Sequence, residues 1–181
     1  MKFFETTLAD AVLIEPEVFG DERGFFLESW NAKAFNDAAL ALNFVQDNHS
    51  KSAAGVLRGL HYQKPNPQGK LVRVTHGAVY DVIVDLRKAS PTFGQHEGFL
   101  LDASNHRMLW VPEGFAHGFL TLKDDTHFLY KCTAPYEPAC EHSLLWNDPH
   151  LSIDWPLDGA LPTVSAKDQA GVAFSDAPVF E

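Results

Sequence analysis

A histidine and three cationic side chains occupy two short apolar segments that have the composition of neighbouring β-strands. Arg58 and His61 lie in the first segment, and Lys70 and Arg73 lie in the second. An imidazole can accept a proton near neutral pH, and buried cations are costly unless an anion pairs with them. The spacing therefore favours a site that combines a base with an anionic ligand, although a lone histidine is more often a packed core residue.

The spacing of Arg58 and His61 bears on whether both can serve one site. Side chains alternate between the two faces of a strand, so residues three apart point in opposite directions. Gly59 lies between them, and glycines in strands often mark a bulge. We expect both side chains to reach one site only if such a bulge is present.

Other candidate residues are scattered through the chain, and each also has a purely structural interpretation. His117 lies among aromatic and small residues, where a ligand can approach the backbone closely. Tyr130 also fits a core tyrosine, and Asp168 also fits a capping box that starts a short helix. Arg23 and Glu28 fit a solvated turn followed by a strand.

Local motifs for metal ions, nucleophilic catalysis and nucleotides are absent from the sequence. The nine histidines show no His-x-His or His-Glu-x-x-His spacing, and Cys132 and Cys140 form no Cys-x-x-Cys pair. There is no Gly-x-Ser-x-Gly segment and no glycine loop for phosphates or dinucleotides. The sequence therefore predicts no metal ion and no nucleotide redox cofactor, and the cysteines are expected to be reduced, buried thiols.

The elements that must position these residues are mainly β-strands. The clearest strand is 79–86, which places Asp81 and Asp85 on one face with apolar residues, so this face is expected to line water or a site. An amphipathic helix is predicted over 31–42, and the tail from residue 171 lacks periodicity and allows loose order. Further strands are predicted at 56–62, 70–75, 97–101, 107–111, 115–122 and 126–132.

Length and charge exclude several classes of protein. With 181 residues and 45% hydrophobic residues, the chain can fold as one domain over residues 1–181 without disulfides or metal. Its formal net charge of -10 disfavours nucleic acid as a partner, because that binding depends on Lys and Arg. No apolar run approaches the roughly 18 residues of a membrane span, and the first residues do not resemble a secretory signal. We expect a cytoplasmic, all-β protein with short helical decorations.

Six segments carry a family resemblance: Val18–Gly24, Phe44–Ser50, Val56–His61, Gln68–Arg73, Pro112–Phe119 and Ser165–Asp168. In this order they resemble the dTDP-4-dehydrorhamnose 3,5-epimerase family, from about residue 10 to about residue 170. The resemblance implies a cupin-type double-sheet jelly roll and a homodimer, with neither a metal ion nor a nucleotide redox cofactor. The implied substrate is dTDP-4-dehydro-6-deoxy-D-glucose, epimerised at C3 and C5 to dTDP-4-dehydro-L-rhamnose.

The resemblance also implies four catalytic roles that suit the residue types. Both stereocentres lie next to the C4 ketone, so their protons become removable once the enolate is stabilised. His61 would be the base and Asp168 would orient its ring. Lys70 would stabilise the enolate, and Tyr130 would return a proton from the opposite face of the sugar.

Ten further residues match substrate-binding positions of the family. Convergence of a few cations would let an acidic chain hold a nucleoside diphosphate. Arg23 and Glu28 are expected to reach the site from the partner subunit, through exchange of an N-terminal strand, and Tyr136 is expected to stack on thymine. By resemblance, Arg23, Arg58 and Lys167 bind the pyrophosphate or the sugar region of the substrate. Gln46, Asp47 and Asn48 would contact the nucleotide. The other four residues of the implied pocket are Glu28, His117, Tyr136 and Glu141.

Two other functions remain open from the residues alone. A non-catalytic cupin that binds a sugar nucleotide would need the cations but not His61, Tyr130 and Asp168 together. A metal-dependent cupin dioxygenase or isomerase would need a ligand set, for which the sequence shows no local spacing. Solvent exchange of the protons next to the ketone tests the first alternative, and metal analysis after chelation tests the second.

Overall fold

Two mainly antiparallel β-sheets lie face to face in a computed structural model that describes residues 1–181. The strands are β1 (Lys2–Glu5), β2 (Val12–Glu15), β3 (Val18–Asp21), β4 (Gly24–Leu27), β5 (Gln46–Ser52), β6 (Val56–Gln63), β7 (Lys70–His76), β8 (Ala78–Asp85), β9 (His96–Asp102), β10 (Met108–Val111), β11 (Phe115–Thr121), β12 (Thr126–Cys132), β13 (Glu141–Ser143) and β14 (Thr163–Val164). The first sheet has the order β1-β2-β10-β7-β12-β5. The second has the order β13-β6-β11-β8-β9, with β14 also paired to β6, and β3 and β4 form a separate hairpin. The predicted all-β double-sheet architecture is confirmed.

The core between the sheets follows from the alternation of side chains along each strand. On β8, Val79 and Ile83 belong to the inter-sheet cluster, whereas Val82 and Val84 pack in a second cluster on the opposite face. The seven strands predicted from the sequence are all present, and no end differs by more than one residue. Alternation of this kind is a strong signal, because one face of each strand must meet the core.

The C-terminal segment packs on the outer face of the second sheet. Val172 forms a parallel bridge with Leu144, and Phe180 forms one with Arg87. Several apolar side chains of this segment contact the second cluster. The expectation of loose order from residue 171 is wrong, because irregularly spaced apolar side chains can still cover an apolar sheet face.

Helix α1 (Ala32–Asp37) covers part of the outer face of the first sheet. The side chain of Asn31 caps it by accepting a hydrogen bond from a first-turn amide at 3.2 Å, and Phe35 is buried against the sheet. The predicted helix over 31–42 is too long, because Ala39 has a φ of 60° and so leaves the helical conformation. The loop that follows still packs apolar side chains on the sheet.

The remaining helical elements are short. Helix α2 (Ala166–Gln169) has four residues, and single 3-10 turns occur at Pro138–Cys140 and Phe174–Asp176. None of the helices is long and apolar enough to cross a membrane. The buried residue of α2 is a carboxylate, Asp168.

Candidate active site

A cavity of about 620 Å³ between the sheets collects most of the predicted site residues. The first sheet contributes residues of β5, β7 and β12, and the second contributes residues of β6 and β11. Residues 163–168 form one edge. Eight of the predicted site residues line the cavity: Asn48, Arg58, His61, Lys70, His117, Tyr130, Lys167 and Asp168.

Arg58 and His61 both line the cavity because the pairing of β6 with β11 is irregular between them. They are three residues apart on β6, but their cross-strand partners are only two positions apart on β11. Gly59 has a φ of 117°, and a Cβ there would lie 2.5 Å from the Cα of Gly118. The backbones can approach this closely only with glycine, and the strand pairing shifts register here, as the glycine suggested.

His61 and Asp168 form a hydrogen-bonded pair in the wall of the cavity. Nε2 of His61 lies 2.5 Å from Oδ1 of Asp168, and the Gly59 N–H donates to Oδ2 at 3.4 Å. Burial raises the pKa of Asp168, but the hydrogen bond and charge of His61 outweigh burial and hold this pKa below its usual value. Because an ionised carboxylate only accepts, the imidazole proton lies on Nε2 and Nδ1 is free to accept a proton.

The local sequence of α2 fixes the position of Asp168. The Ser165 hydroxyl oxygen accepts a hydrogen bond from the backbone N–H of Asp168 at 3.1 Å, so Ser165 is the N-cap. The predicted cap is confirmed, and it leaves the Asp168 side chain free to contact His61. The cap orders the backbone of Asp168 while the buried side chain contacts His61.

Lys70 and Tyr130 enter the cavity from the first sheet, whereas His61 enters from the second. Nζ of Lys70 donates to the carbonyl oxygen of His61 at 3.5 Å. Burial lowers the pKa of the Lys70 ammonium, and nearby negative groups oppose this shift. Burial raises the pKa of Tyr130 to about 12. The phenol therefore remains protonated at neutral pH, which suits a proton donor facing a base.

His117 pairs with a carboxylate that the sequence analysis did not assign to a site. Both oxygens of Asp81 lie near Nε2 of His117, at 2.9 and 3.1 Å. Burial lowers the pKa of His117, and the negative charge of Asp81 opposes this shift. The sequence feature that points to Asp81 is the half-polar face of the strand predicted at 79–86, a face that we expect to line water or a site.

Glu141 joins two residues next to the cavity. Its carboxylate accepts hydrogen bonds from the Tyr136 hydroxyl and from the Lys167 ammonium. Burial raises the pKa of Glu141, but these two contacts outweigh it and hold the pKa below its usual value. Gln46 accepts a hydrogen bond from the backbone N–H of Tyr136 at 2.8 Å and donates to Asn48 at 3.0 Å. This network therefore connects two edges of the cavity.

Asp47, Arg23 and Glu28 do not line the cavity of their own chain. Alternation along β5 sends Asp47 to the outer face of the sheet, where it accepts hydrogen bonds from Lys131 at 3.0 Å. Arg23 lies at the turn of the β3–β4 hairpin and forms an ion pair with Asp21 at 2.5 Å. Glu28 follows this hairpin and is exposed.

Potential metal ligands are not clustered in the chain. No group of three or more His, Cys, Asp or Glu side chains is arranged to hold a metal ion. Cys132 and Cys140 are free and buried. Burial raises the pKa of Cys132, so its thiol remains protonated at neutral pH.

Similarity to known proteins extends over nearly the whole chain. The family model for dTDP-4-dehydrorhamnose 3,5-epimerase matches residues 5–176. A dTDP-4-dehydrorhamnose 3,5-epimerase from Pseudomonas aeruginosa is 56% identical over 181 residues, which cover 99% of each chain.

Solved structures of related enzymes share the fold. A dTDP-6-deoxy-D-glucose-3,5-epimerase from Legionella pneumophila, in complex with dTDP-4-keto-L-rhamnose, superposes with a TM-score of 0.94 at 47% identity, covering 98% of this chain and 94% of that one. A 3'-monoepimerase from Streptomyces bikiniensis, in complex with dTDP-quinovose, gives a TM-score of 0.88 at 35% identity, covering 94% and 86%. The cupin-type jelly roll is thereby confirmed. The chain is an isomerase and belongs to the dTDP-4-dehydrorhamnose 3,5-epimerase family.

Proposed function

We propose that the cavity inverts C3 and C5 of dTDP-4-dehydro-6-deoxy-D-glucose to give dTDP-4-dehydro-L-rhamnose. The observation that carries the proposal is the placement of a base and an acid on opposite walls, His61 on β6 and Tyr130 on β12. Inversion requires that a proton leave one face of a carbon and that another arrive on the opposite face. The names of the relatives and the ligand of the Legionella enzyme support the same substrate class.

His61 acts as the base in this proposal. Its Nδ1 accepts the proton, because Nε2 is engaged with Asp168 at 2.5 Å. The charge that develops on the imidazole is stabilised by the Asp168 carboxylate, as in other histidine–carboxylate pairs. Asp168 also fixes the orientation of the ring, since its own backbone is held by the N-terminal cap of α2.

Lys70 and Tyr130 complete the proton transfers. Removal of a proton next to the C4 ketone places negative charge on the ketone oxygen, and the buried Lys70 ammonium stabilises that charge. Tyr130, with its pKa of about 12, supplies a proton from the opposite wall. After each inversion, the Tyr130 phenolate is reprotonated from solvent and the His61 imidazolium releases its proton, so that the pair can act at the second carbon. These side chains account for each proton transfer without a redox step.

The nucleotide is held by a local positive charge in an acidic protein. Arg58 and Lys167 both line the cavity, whereas the whole chain has a formal net charge of -10. Such convergence attracts a diphosphate regardless of the net charge. Tyr136 is 47% exposed and is linked to Lys167 through Glu141, so its ring is available to stack on thymine.

The function is tested by product NMR after incubation with dTDP-4-dehydro-6-deoxy-D-glucose in deuterated water. We expect deuterium at C3 and C5 and inversion at both carbons, because one base and one acid flank the C4 ketone that both carbons adjoin. Inversion at C3 alone would indicate the activity named for the Streptomyces bikiniensis relative. Binding of the ketosugar nucleotide without any exchange would indicate a non-catalytic binding protein instead.

The proposal includes a homodimer in which each subunit completes the cavity of its partner. Arg23 and Glu28 match family positions that bind substrate, yet both lie outside the cavity of their own chain. The hairpin that carries Arg23 exposes three large aromatic side chains, a feature typical of a protein interface. These are Phe19, Phe25 and Phe26, which are 55%, 63% and 65% exposed.

Mixing two inactive variants tests whether the sites are shared. Arg23→Ala and His61→Asn should each be nearly inactive alone, because one removes the partner's contribution and the other removes the base. After subunit exchange, the mixed dimer should contain one intact site, and activity should recover to about a quarter of the wild-type value, since about half of the dimers are mixed. Sedimentation should show dimers throughout. Absence of recovery after verified exchange, or an active monomer, would contradict the shared site.

A further inference from the structure

Asp81 is a buried carboxylate that no step of the proposed reaction uses. It lies on β8, has 0% exposure and faces the space between the sheets. Both of its oxygens are within hydrogen-bond distance of Nε2 of His117. Asp81 is not part of the cavity wall, so it does not touch a bound substrate. A buried carboxylate is costly unless neighbouring groups compensate its charge.

The groups that act on Asp81 all belong to the cavity. Burial raises the pKa of Asp81, and the charges of His117 and Lys70 oppose this shift. Asp81 in turn opposes the effect of burial on the pKa of Lys70. The titratable groups that face Lys70 from the surrounding strands are His61 on β6, Asp81 on β8, His117 on β11, Cys132 on β12 and Glu141 on β13.

Among these groups, Asp81 is the carboxylate best placed to balance the charge of Lys70. Glu141 is engaged in hydrogen bonds with Lys167 and a tyrosine hydroxyl. Cys132 is a neutral thiol, because burial raises its pKa. A buried ammonium without a counter-charge tends to lose its proton, and Asp81, which is linked to Lys70 through His117 and His61, opposes that loss.

We propose that Asp81 is a positioning residue of this site, which holds the proton of His117 on Nε2 and keeps Lys70 charged for enolate stabilisation. The proposal rests on the proposed function of the cavity. With its Nε2–H donated to Asp81, His117 has Nδ1 left as a hydrogen-bond acceptor. His61 and His117 are cross-strand partners. The site therefore contains two adjacent histidine–aspartate pairs, one for proton transfer and one for charge balance.

The substitution Asp81→Asn tests the charge balance, because Asn keeps the size and an acceptor oxygen for His117 but carries no charge. Lys70 should then lose its proton at lower pH, since Asp81 favours its charged form in the wild type. We expect kcat to fall roughly 10- to 100-fold at mildly alkaline pH, with a much smaller change in KM. The alkaline limb of the kcat profile should move to lower pH by about one unit or more.

Asp85→Asn is a matched control on the same strand. Like Asp81, Asp85 is fully buried and lies outside the cavity wall, but it is held by Arg87, Ser90 and Thr92, none of which lines the cavity. This variant should lower the melting temperature without moving the alkaline limb. If the pH profile of Asp81→Asn superimposes on the wild-type profile after scaling, Asp81 has only a structural role and the proposal is overturned.

Nitrogen-15 NMR of the wild-type protein tests the second part of the proposal, even if Asp81→Asn does not fold. At neutral pH and without substrate, His117 should be neutral and protonated on Nε2. A proton on Nδ1 instead, or on both nitrogens, would overturn the assignment. Failure of the proposed function has a different signature, because the wild-type protein would then exchange no protons of the ketosugar while the His117 tautomer could still be observed.

Discussion

Replacing His61 with Asn is expected to abolish proton exchange with solvent at C3 and C5 together. One base serves both carbons in the proposed mechanism, and the Asn side chain cannot accept the proton at neutral pH. Loss of general-base assistance costs about 10²–10⁴-fold, and loss of the only base costs more. The measurement is the rate of deuterium incorporation into the ketosugar nucleotide, followed by NMR under saturating substrate.

Two further variants show whether such a loss is specific to the base. His96→Asn changes a half-buried histidine on β9 that does not line the cavity, so exchange should stay near the wild-type rate. Asp168→Ala should be intermediate, because His61 keeps its chemistry but loses the partner that orients it at 2.5 Å. The assignment of the base would be wrong if His61→Asn folds, binds nucleotide and still exchanges both protons at near wild-type rates.

The strands of the fold are predictable because the side chains on each of their two faces pack in a different environment. In β8 the residues around Val82 and Ile83 alternate between two different apolar clusters, and that alternation is visible in the sequence. The length of α1 is not visible in the same way, because the apolar positions after Ala39 pack from a loop as well as they would from a helix. The order of the C-terminal tail is also not visible in the sequence, because its apolar side chains pack on the second sheet without a regular spacing.

The site is predictable in part, because its members come together only through the tertiary fold. Gly59 signals locally that Arg58 and His61 share a side, and the structure confirms this. The partnership of His61 with Asp168 spans 107 residues, and no local spacing can indicate it. The family resemblance indicates the pair instead. Asp81 is missed because a single carboxylate in a strand does not reveal which histidine it will face.

Arg23, Glu28 and Asp47 are predicted site residues that lie outside the cavity of their own chain. Arg23 and Glu28 match family positions, but the folded chain leaves them outside its own cavity. Asp47 is equally remote, since alternation on β5 turns it toward Lys131 on the outer face of the sheet. In the proposed homodimer, Arg23 and Glu28 would act from the second subunit, so the fold of one chain alone does not bring them to a site.

Tyr130→Phe should separate proton exchange from inversion. The variant removes the acid on β12 but leaves His61 and Lys70 able to form the enolate. Exchange should therefore persist at one carbon at least, because His61 can remove a proton and return one from solvent on the same face. Inversion should fall by about 10²–10⁴-fold, the usual contribution of a general acid. The pKa of about 12 for Tyr130 implies that wild-type inversion does not decline through phenol ionisation in the neutral range.

Tyr80→Phe is the matched control for this prediction. Tyr80 is half-buried on β8 and packs its ring against Trp155 in the second cluster, at a centroid distance of 6.1 Å. Loss of its hydroxyl should leave both exchange and inversion near wild-type rates. NMR of the product in deuterated water reports the two processes separately, since deuterium can appear with or without a change of configuration. If Tyr130→Phe inverts both carbons at the wild-type rate, another group is the acid; if it loses exchange and inversion equally, Tyr130 takes part in enolate formation itself.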